Sequence, residues 1–197
     1  LANPKLRWER SKQVDLGLDL RFFDSRLSLT ADYYYKLTDG LLVQSAAPYT
    51  TGASTVYQNL GEVTTSGIEL ELDWKDNIGD FKYGIRSNIS TVKNKVKKYK
   101  GEGTRIEGSG MLGASSAMTY FEEGYPLWYI RGYKLAGVNA ETGEAIYQDI
   151  DGKEGITDAD RTELGKGIPD FTYGMTLTAS WKNFDFNIYG AGASGNQ

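Results

Sequence analysis

Residues 14–36 read VDLGLDLRFFDSRLSLTADYYYK, two alternating segments on either side of Asp24-Ser25. Every second residue is apolar or aromatic, from Val14 to Phe22 and again from Leu27 to Tyr35. A period of two is typical of a β-strand with one apolar face. A tight turn at Asp24-Ser25 places Phe22 opposite Leu27 and keeps both apolar rows on the same side. The stretch therefore predicts an antiparallel hairpin with one apolar and one polar face.

The same pattern occurs twice more in the chain. A second hairpin runs from Ile68 to Trp74 and returns from Tyr83 to Ile89, with a turn at residues 76–80. Aligning Trp74 with Tyr83 brings Glu71 against Arg86 on the polar face. A third hairpin runs from Phe171 to Trp181 and returns from Phe184 to Ile188 around Lys182-Asn183, which places Trp181 opposite Phe184. Three hairpins of one design indicate a single sheet.

Strand length decides between two all-β architectures. The predicted strands are about twice as long as the roughly 5–6 residues usual in soluble proteins. Aromatic residues lie beside each short turn, where membrane barrels carry aromatic girdles. The sequence therefore predicts an all-β, antiparallel transmembrane β-barrel wall with short periplasmic turns, long extracellular loops and apolar rows that face lipid. A soluble or surface-anchored β-rich glycan-binding module, built as a β-sandwich, is the alternative.

Composition excludes several other classes of function. The 22 basic and 26 acidic residues give a net charge of −4, and no basic stripe for nucleic acid is recognisable in the sequence. The chain has no Cys and no His, so it lacks thiolate metal ligands and the commonest acid/base residue. Glu69, Glu71 and Asp73 alternate along one strand face, which indicates a hydrated lumen rather than a convergent catalytic pair. We therefore predict that the protein is not an enzyme.

Recognition is expected in the long segments between the hairpins, residues 38–65, 92–125 and 137–169, because loops on a rigid scaffold usually carry it. Aromatic rings in these segments and just after the second one are candidates for stacking on sugars or peptide side chains, and the alternative is a packing or girdle role. The ligand-binding candidates are Tyr49, Tyr57, Tyr120, Trp128 and Tyr129.

One of these segments contains a possible calcium loop. Counting from Asp149, the residues Asp149, Asp151 and Asp160 occupy positions one, three and twelve, as in a twelve-residue oxygen-ligand loop. Position five is Lys153 and position six is Glu154, where a ligand and a glycine are expected. The loop therefore predicts either a Ca²⁺ site or an acidic turn held by Asx-type hydrogen bonds.

Six short motifs, in order, resemble the SusC/RagA family of TonB-dependent outer-membrane transporters of Bacteroidetes. The first two are Asn-Pro-x-Leu-x-Trp-Glu, present at residues 3–9, and Asn-x-Gly-Glu-Val followed by Gly-Ile-Glu-Leu, present at residues 59–63 and 67–70. The others are Arg-Gly-Tyr-Lys at 131–134, the acidic segment 149–160, Pro-Asp-Phe-x-Tyr-Gly at 169–174 and Lys-Asn-Phe-Asp at 182–185. The resemblance covers nearly the whole chain.

The resemblance implies a barrel of about 22 strands with an N-terminal plug. Residues 1–197 would be a partial barrel domain from the C-terminal half, with the plug domain and the terminal strands absent from this chain. Location in the cell outer membrane and uptake of glycans, oligosaccharides or peptides are implied as well. The implied partners are outer-membrane lipid, a SusD-type surface lipoprotein and, through the missing plug, the TonB complex.

Overall fold

The computed structural model describes residues 3–46, 50, 52, 55–101, 105–108 and 117–196, and these residues form thirteen β-strands and a short 3-10 helix. The first five strands are β1 (Arg10–Phe22), β2 (Leu27–Ala46), β3 (Thr55–Ile78), β4 (Phe81–Thr91) and β5 (Lys93–Tyr99). The following elements are β6 (Arg105–Glu107), β7 (Thr119–Glu122), β8 (Tyr129–Tyr133), β9 (Leu135–Val138), β10 (Ala145–Tyr147), the 3-10 helix (Asp158–Asp160), β11 (Arg161–Gly165), β12 (Phe171–Trp181) and β13 (Phe184–Ser194).

In the main sheet, each long strand pairs antiparallel with its neighbour. Its order is β1-β2-β3-β4-β12-β13, and β5 pairs with the part of β3 that extends beyond β4. The first and third hairpins have the predicted registers, since Phe22 pairs with Leu27 and Trp181 pairs with Phe184. Correct registers place all the apolar rows on one face of the sheet.

The predicted register of the second hairpin is wrong by two residues. Trp74 pairs with Ile85 rather than Tyr83, and Arg86 pairs with Asp73 rather than Glu71. The cause is the turn: the ladder continues to the pair Ile78–Phe81, so only Gly79-Asp80 connects the strands, and Gly79 has a φ of +59° that favours glycine. Because the shift is two residues, every side chain stays on its predicted face.

The apolar face of the main sheet has no covering layer among the described residues. Leu16, Leu18 and Leu70 are 66%, 55% and 46% exposed, although they lie in the middle of long strands. A β-sandwich would bury these side chains against its second sheet. The exposed apolar band on one face and the polar side chains on the other are what a barrel wall requires.

The predicted loop over residues 38–65 is mostly strand. β2 and β3 remain paired up to Ala46 and Thr55, which carries the hairpin far beyond the apolar band. Side chains above the membrane no longer meet lipid on one face, so their alternation weakens and the pattern does not reveal the strands. The two long strands thus form a rigid extension of the wall.

A long excursion separates β4 from its neighbour β12, since Thr91 pairs directly with Phe171. Within it, β11-β8-β7-β6 form a four-stranded sheet and β9-β10 a separate hairpin. We call the four-stranded unit the small sheet. Among the described residues, no helix is long and apolar enough to cross a membrane.

The small sheet packs on the lumenal side of the extended wall. Fully buried Phe121 of β7 contacts Val63 of β3 and Val96 of β5. Val63 alternates with the outward-facing row of β3 and therefore faces the lumen. A Cβ at Gly61, on the same face, would lie 2.9 Å from the Phe121 ring, so glycine permits this close approach. The small sheet thus lies against the polar face of the wall.

Candidate functional site

Two of the five candidate ligand-binding aromatics lie inside the small sheet. Tyr120 and Tyr129 are each 1% exposed and pair across β7 and β8. The Tyr129 hydroxyl donates to the Glu122 carboxylate at 2.6 Å, and Tyr125 stacks on the Tyr129 ring at 4.5 Å. Burial, together with the adjacent Glu122 carboxylate, raises the pKa of Tyr129. Both rings are therefore packed within the small sheet and are not accessible to a ligand.

The remaining candidates are separate from that cluster. Tyr57 lies on β3 and is 57% exposed, and Trp128 is partly exposed with its ring 5.8 Å from that of Phe121. Tyr49 lies outside the described residues. Ligand binding by these aromatic residues stays a prediction, and Tyr57 and Trp128 are the described candidates with accessible rings.

Three arginines of the small sheet converge on Asp158, a cluster that the sequence pattern did not reveal. Arg105, Arg131 and Arg161 lie 3.5, 3.6 and 3.3 Å from the Asp158 carboxylate. Arg131 also donates to the Asp158 backbone carbonyl at 3.0 Å. The arginines come from three strands and meet only through the tertiary fold, so spacing in the sequence carried no signal. Their contacts fix the 3-10 helix to the small sheet.

The acidic loop brings its three predicted ligands together. Carboxylate oxygens of Asp149, Asp151 and Asp160 lie within 4.8 Å of one another. Asp160 is fully buried and accepts hydrogen bonds from the backbone N–H groups of Ile150, Asp151 and Thr157 at 2.8, 3.3 and 2.7 Å. The loop therefore has the Asx-type hydrogen bonds of the acidic-turn interpretation and also the carboxylate convergence that a hard cation requires.

These hydrogen bonds make the loop sensitive to acid. Backbone N–H donors, chiefly those of Thr157 and Ile150, lower the pKa of Asp160 to about 2. An unfolded Asp has a pKa of about 3.9, so the stabilisation is complete above that pH and is lost as the pH falls through about 2. We expect hydrogen exchange at Ile150 and Thr157, corrected for the intrinsic rate, to accelerate over that window. Asp160→Asn should show fast exchange already at neutral pH, and Asp185→Asn, at the opposite end of the wall, should not.

The first two motifs of the resemblance are joined in space by one side chain. Asn59 accepts from the Arg7 backbone N–H at 2.8 Å and donates to the carbonyls of Arg7 and Gly40 at 2.8 and 2.6 Å. Glu9 accepts from the Leu42 N–H at 2.7 Å, and Asn3 donates to the Tyr57 carbonyl at 3.1 Å. We call this arrangement the Asn59 latch, because it fixes the segment before β1 to the upper part of β2 and β3.

Asn59→Ala should open the latch without unfolding the wall. Three hydrogen bonds are lost and backbone groups of Arg7 and Gly40 lose a partner, a change worth about 1–3 kcal/mol. We expect the Arg7 amide to exchange faster with solvent, while amides of the Leu16–Leu20 region keep their protection. Asn77→Ala, near the short turns, is the matched control. Unchanged exchange at Arg7 would contradict the role of the latch.

The lumenal acids form ion pairs in the wall. Arg86 lies 2.6 Å from Asp73 and 3.7 Å from Glu71, and Lys75 lies 3.4 Å from Asp73. Asp32 and Glu69 are directly opposite each other with like charge. This is a polar, hydrated surface along the inner face, in agreement with the predicted lumen.

Comparison with known proteins agrees with this architecture. Residues 1–193 match the family model described as TonB dependent receptor-like, beta-barrel. TonB-dependent receptor P3 of Formosa agariphila is 34% identical over 95% of this chain and 20% of its own length. TonB-dependent receptor SusC of Bacteroides thetaiotaomicron is 26% identical over 94% of this chain and 19% of its own length. The chain thus spans about a fifth of the length of the curated relatives it matches.

Solved structures show the same likeness. A structure of the RagAB peptide transporter matches 97% of this chain and 21% of its own chain, with a TM-score of 0.80 and 26% identity. The RagAB peptide importer in the open-open state matches 98% of this chain and 21% of its own, with a TM-score of 0.83 and 26% identity. The family model, the relatives and the exposed apolar band lead to one conclusion. The chain belongs to the TonB-dependent receptor-like β-barrel family of the outer membrane, with SusC and RagA as relatives.

Proposed function

We propose that this chain forms part of the barrel wall and mouth of a SusC-type, TonB-dependent importer that takes up glycans, oligosaccharides or peptides across the outer membrane. The observation that carries the proposal is the uncovered apolar face of six long strands, with a polar face behind it. The similarity to SusC and to the RagAB peptide transporter supports the transport role. The small sheet, folded over the lumenal side, supplies the surface that a substrate entering the mouth would meet.

The domain arrangement and partners follow from the same resemblance. Residues 1–197 are a portion of a barrel of about 22 strands, in which a plug domain elsewhere in the protein fills the lumen and contacts the TonB complex. A SusD-type surface lipoprotein covers the mouth on the extracellular side. The protein is a transporter without catalytic activity of its own, which agrees with the ion-paired arrangement of its lumenal acids.

The test is nutrient uptake by the full-length receptor. A deletion strain is grown with defined oligosaccharides or with peptides as the sole source of carbon or nitrogen, and complemented with the intact gene. We expect complementation to restore growth on one of the two nutrient classes, with the receptor in the outer-membrane fraction. Normal growth of the deletion strain on every nutrient, or recovery of the full-length protein as a soluble glycan-binding module, would exclude the importer.

The acidic loop is a separate proposal, a weak Ca²⁺ site formed by Asp149, Asp151 and Asp160. The convergence of the three carboxylates supports it, while the Lys153 ammonium at 2.9 Å from Asp151 competes with an ion. We expect a dissociation constant of about 10⁻⁴–10⁻³ M, as in extracellular calcium modules. Calorimetric titration of the full-length receptor checks this. Asp149→Asn should weaken binding at least about tenfold, because even the loss of a residue that only orients a ligand typically costs about 10–100-fold in affinity. Absence of binding at millimolar Ca²⁺ would leave the acidic turn as the sole role of the loop.

A further inference from the structure

A row of basic side chains lies on the outward face of the wall, directly beyond the apolar band. Residues 93–100 read KNKVKKYK, and the lysines of this segment are exposed while Asn94 and Val96 are buried. Two further basic residues at the start of β1 lie on the same face. We call this set the basic girdle: Arg10, Lys12, Lys93, Lys95, Lys97, Lys98 and Lys100.

Register establishes that the girdle faces outward. Lys12 pairs with Leu37 and Arg10 with Asp39, both on the alternate row of β2 that contains lipid-facing Leu29 and Tyr33. On β5, which pairs with the opposite edge of β3, Lys93 is opposite Ser66 and Lys95 is opposite Thr64. Ser66 and Thr64 continue the outward row of Leu70 and Ile68 on β3. Directly paired residues in an antiparallel ladder share a face.

Buried neighbours confirm the orientation of β5. Val96 points inward to Phe121, and Asn94 accepts a hydrogen bond from the Leu127 N–H at 2.7 Å on the lumenal side. The lysines that alternate with them therefore point away from the lumen. Beyond the bulge in β5, Lys98 pairs with Glu62 in the outward row, and Lys97 lies 2.9 Å from the Glu62 carboxylate.

The girdle begins at the upper edge of the apolar band and extends along the strands away from the short turns. On β1 the outward row runs Phe22, Leu20, Leu18, Leu16, Val14, and its next members are Lys12 and Arg10. One step of two residues advances about 7 Å along a strand, so the first basic group lies within one step of the hydrocarbon boundary. The short turns are at the opposite end of the same strands, so this boundary belongs to the extracellular leaflet.

Positive charge in the girdle greatly exceeds the local negative charge. Its seven cationic side chains are accompanied on the outward rows by two carboxylates, Asp39 and Glu62. Arg10 and Lys100 lie 3.9 Å from Asp39, and Lys97 pairs with Glu62. In the described part of the chain, no carboxylate lies within 4 Å of four of these side chains: Lys12, Lys93, Lys95 and Lys98.

We infer that the basic girdle binds the anionic, phosphate-bearing head groups of lipids in the outer leaflet of the outer membrane. Continuity with the lipid-facing band places these lysines at head-group depth, and lysine carries the three rotatable donors that suit a phosphate. Opposite charge then retains anionic lipids around this section of the barrel in preference to zwitterionic ones. The inference rests on the placement of the wall in the membrane and is independent of which nutrient the receptor imports.

Lipid binding by the full-length receptor tests the inference. Detergent-solubilised receptor is titrated separately with dioleoyl phosphatidic acid and dioleoyl phosphatidylcholine, and bound lipids are counted by native mass spectrometry. We expect the wild type to prefer phosphatidic acid at least about tenfold, since each basic residue near a membrane surface contributes a factor of about five. The variant with Lys12→Gln, Lys93→Gln and Lys95→Gln should lose most of that preference, and replacing the same residues by Arg should preserve it.

Three lumen-facing lysines provide the matched control. The variant with Lys36→Gln, Lys75→Gln and Lys82→Gln removes the same charge from the inner face and should keep the wild-type preference. Heat-dependent migration on an SDS gel verifies that each barrel is folded. In the wild type, the preference for phosphatidic acid should decrease as the salt concentration is raised, because salt screens the charges. Equal binding of the two lipids by the wild type, equal loss in both lysine variants, or retention in the outward variant overturns the inference.

Discussion

Leu70→Arg should prevent stable assembly of the barrel in the outer membrane. Leu70 is aligned through Ala31 with Leu18, the middle residue of the outward row on β1, so it lies near the midplane of the bilayer. An arginine at that depth on the lipid face costs about 2–4 kcal/mol. The double variant with Leu18→Arg and Leu70→Arg should not form a folded barrel. Loss of the heat-modifiable folded form and of receptor in the outer-membrane fraction is the measurement.

The adjacent residue offers a control that separates face from charge. Glu69→Arg introduces the same side chain one position away, but on the lumen face, where Glu69 is opposite Asp32. The substitution replaces a like-charge pair by an opposite-charge pair, so folding should be unchanged or slightly improved. If both arginines were tolerated equally, the apolar rows would not be in contact with lipid.

Phe121→Ala should detach the small sheet from the wall while the wall itself stays folded. The Phe121 ring is fully buried between Val63 and Val96, with Tyr99 and Ile106 packed around it. Removing a buried phenylalanine costs about 3–5 kcal/mol. The other side chains packed against this cluster from the excursion, Ile106 and Leu127, are only partly buried. We expect rapid proteolysis within residues 102–170 in intact cells, together with a loss of nutrient uptake.

The control for this experiment is a phenylalanine that meets lipid. Phe186→Ala removes a ring that is 59% exposed on the outer face of β13, and it leaves the small sheet untouched. The excursion should therefore remain protease-resistant in that variant. Resistance of the Phe121→Ala excursion would show that other contacts hold the small sheet in place.

The faces of the strands could be predicted from the sequence, because the alternation of apolar and polar side chains applies at every residue. The alternation from Val14 to Phe22 and from Phe171 to Trp181 fixes which side of the sheet each residue occupies, because a bilayer demands an unbroken apolar row. The turns at Asp24-Ser25 and Lys182-Asn183 then fix the registers of those hairpins. The middle hairpin was misaligned because Gly79 allows a tighter turn than the polar run from Asp76 to Asp80 indicated.

Features held by distant contacts were not visible in the sequence. The pairing of β4 with β12 joins Thr91 to Phe171 across the whole excursion, and the three arginines around Asp158 come from separate strands. Asn59 belongs to a recognisable motif, but its role as a latch depends on where the backbone of Arg7 passes. The carboxylates of Asp149, Asp151 and Asp160 lie close together, as the calcium-like spacing predicts, and Ca²⁺ binding there stays a prediction. The burial of Asp160 and its particular N–H donors depend on the folded loop.

The length of β3 has a mechanical consequence. Its 24 residues run without a break from the Gly79 turn to the upper rim, and it pairs with β2 along almost all of that distance. A pull applied at one end along the strand direction would load this ladder in shear, so its many bonds would have to yield together instead of unzipping one after another. Residues 55–78 therefore form a stiff element that would transmit a longitudinal load from the Gly79 turn to the upper rim with little stretching of the wall.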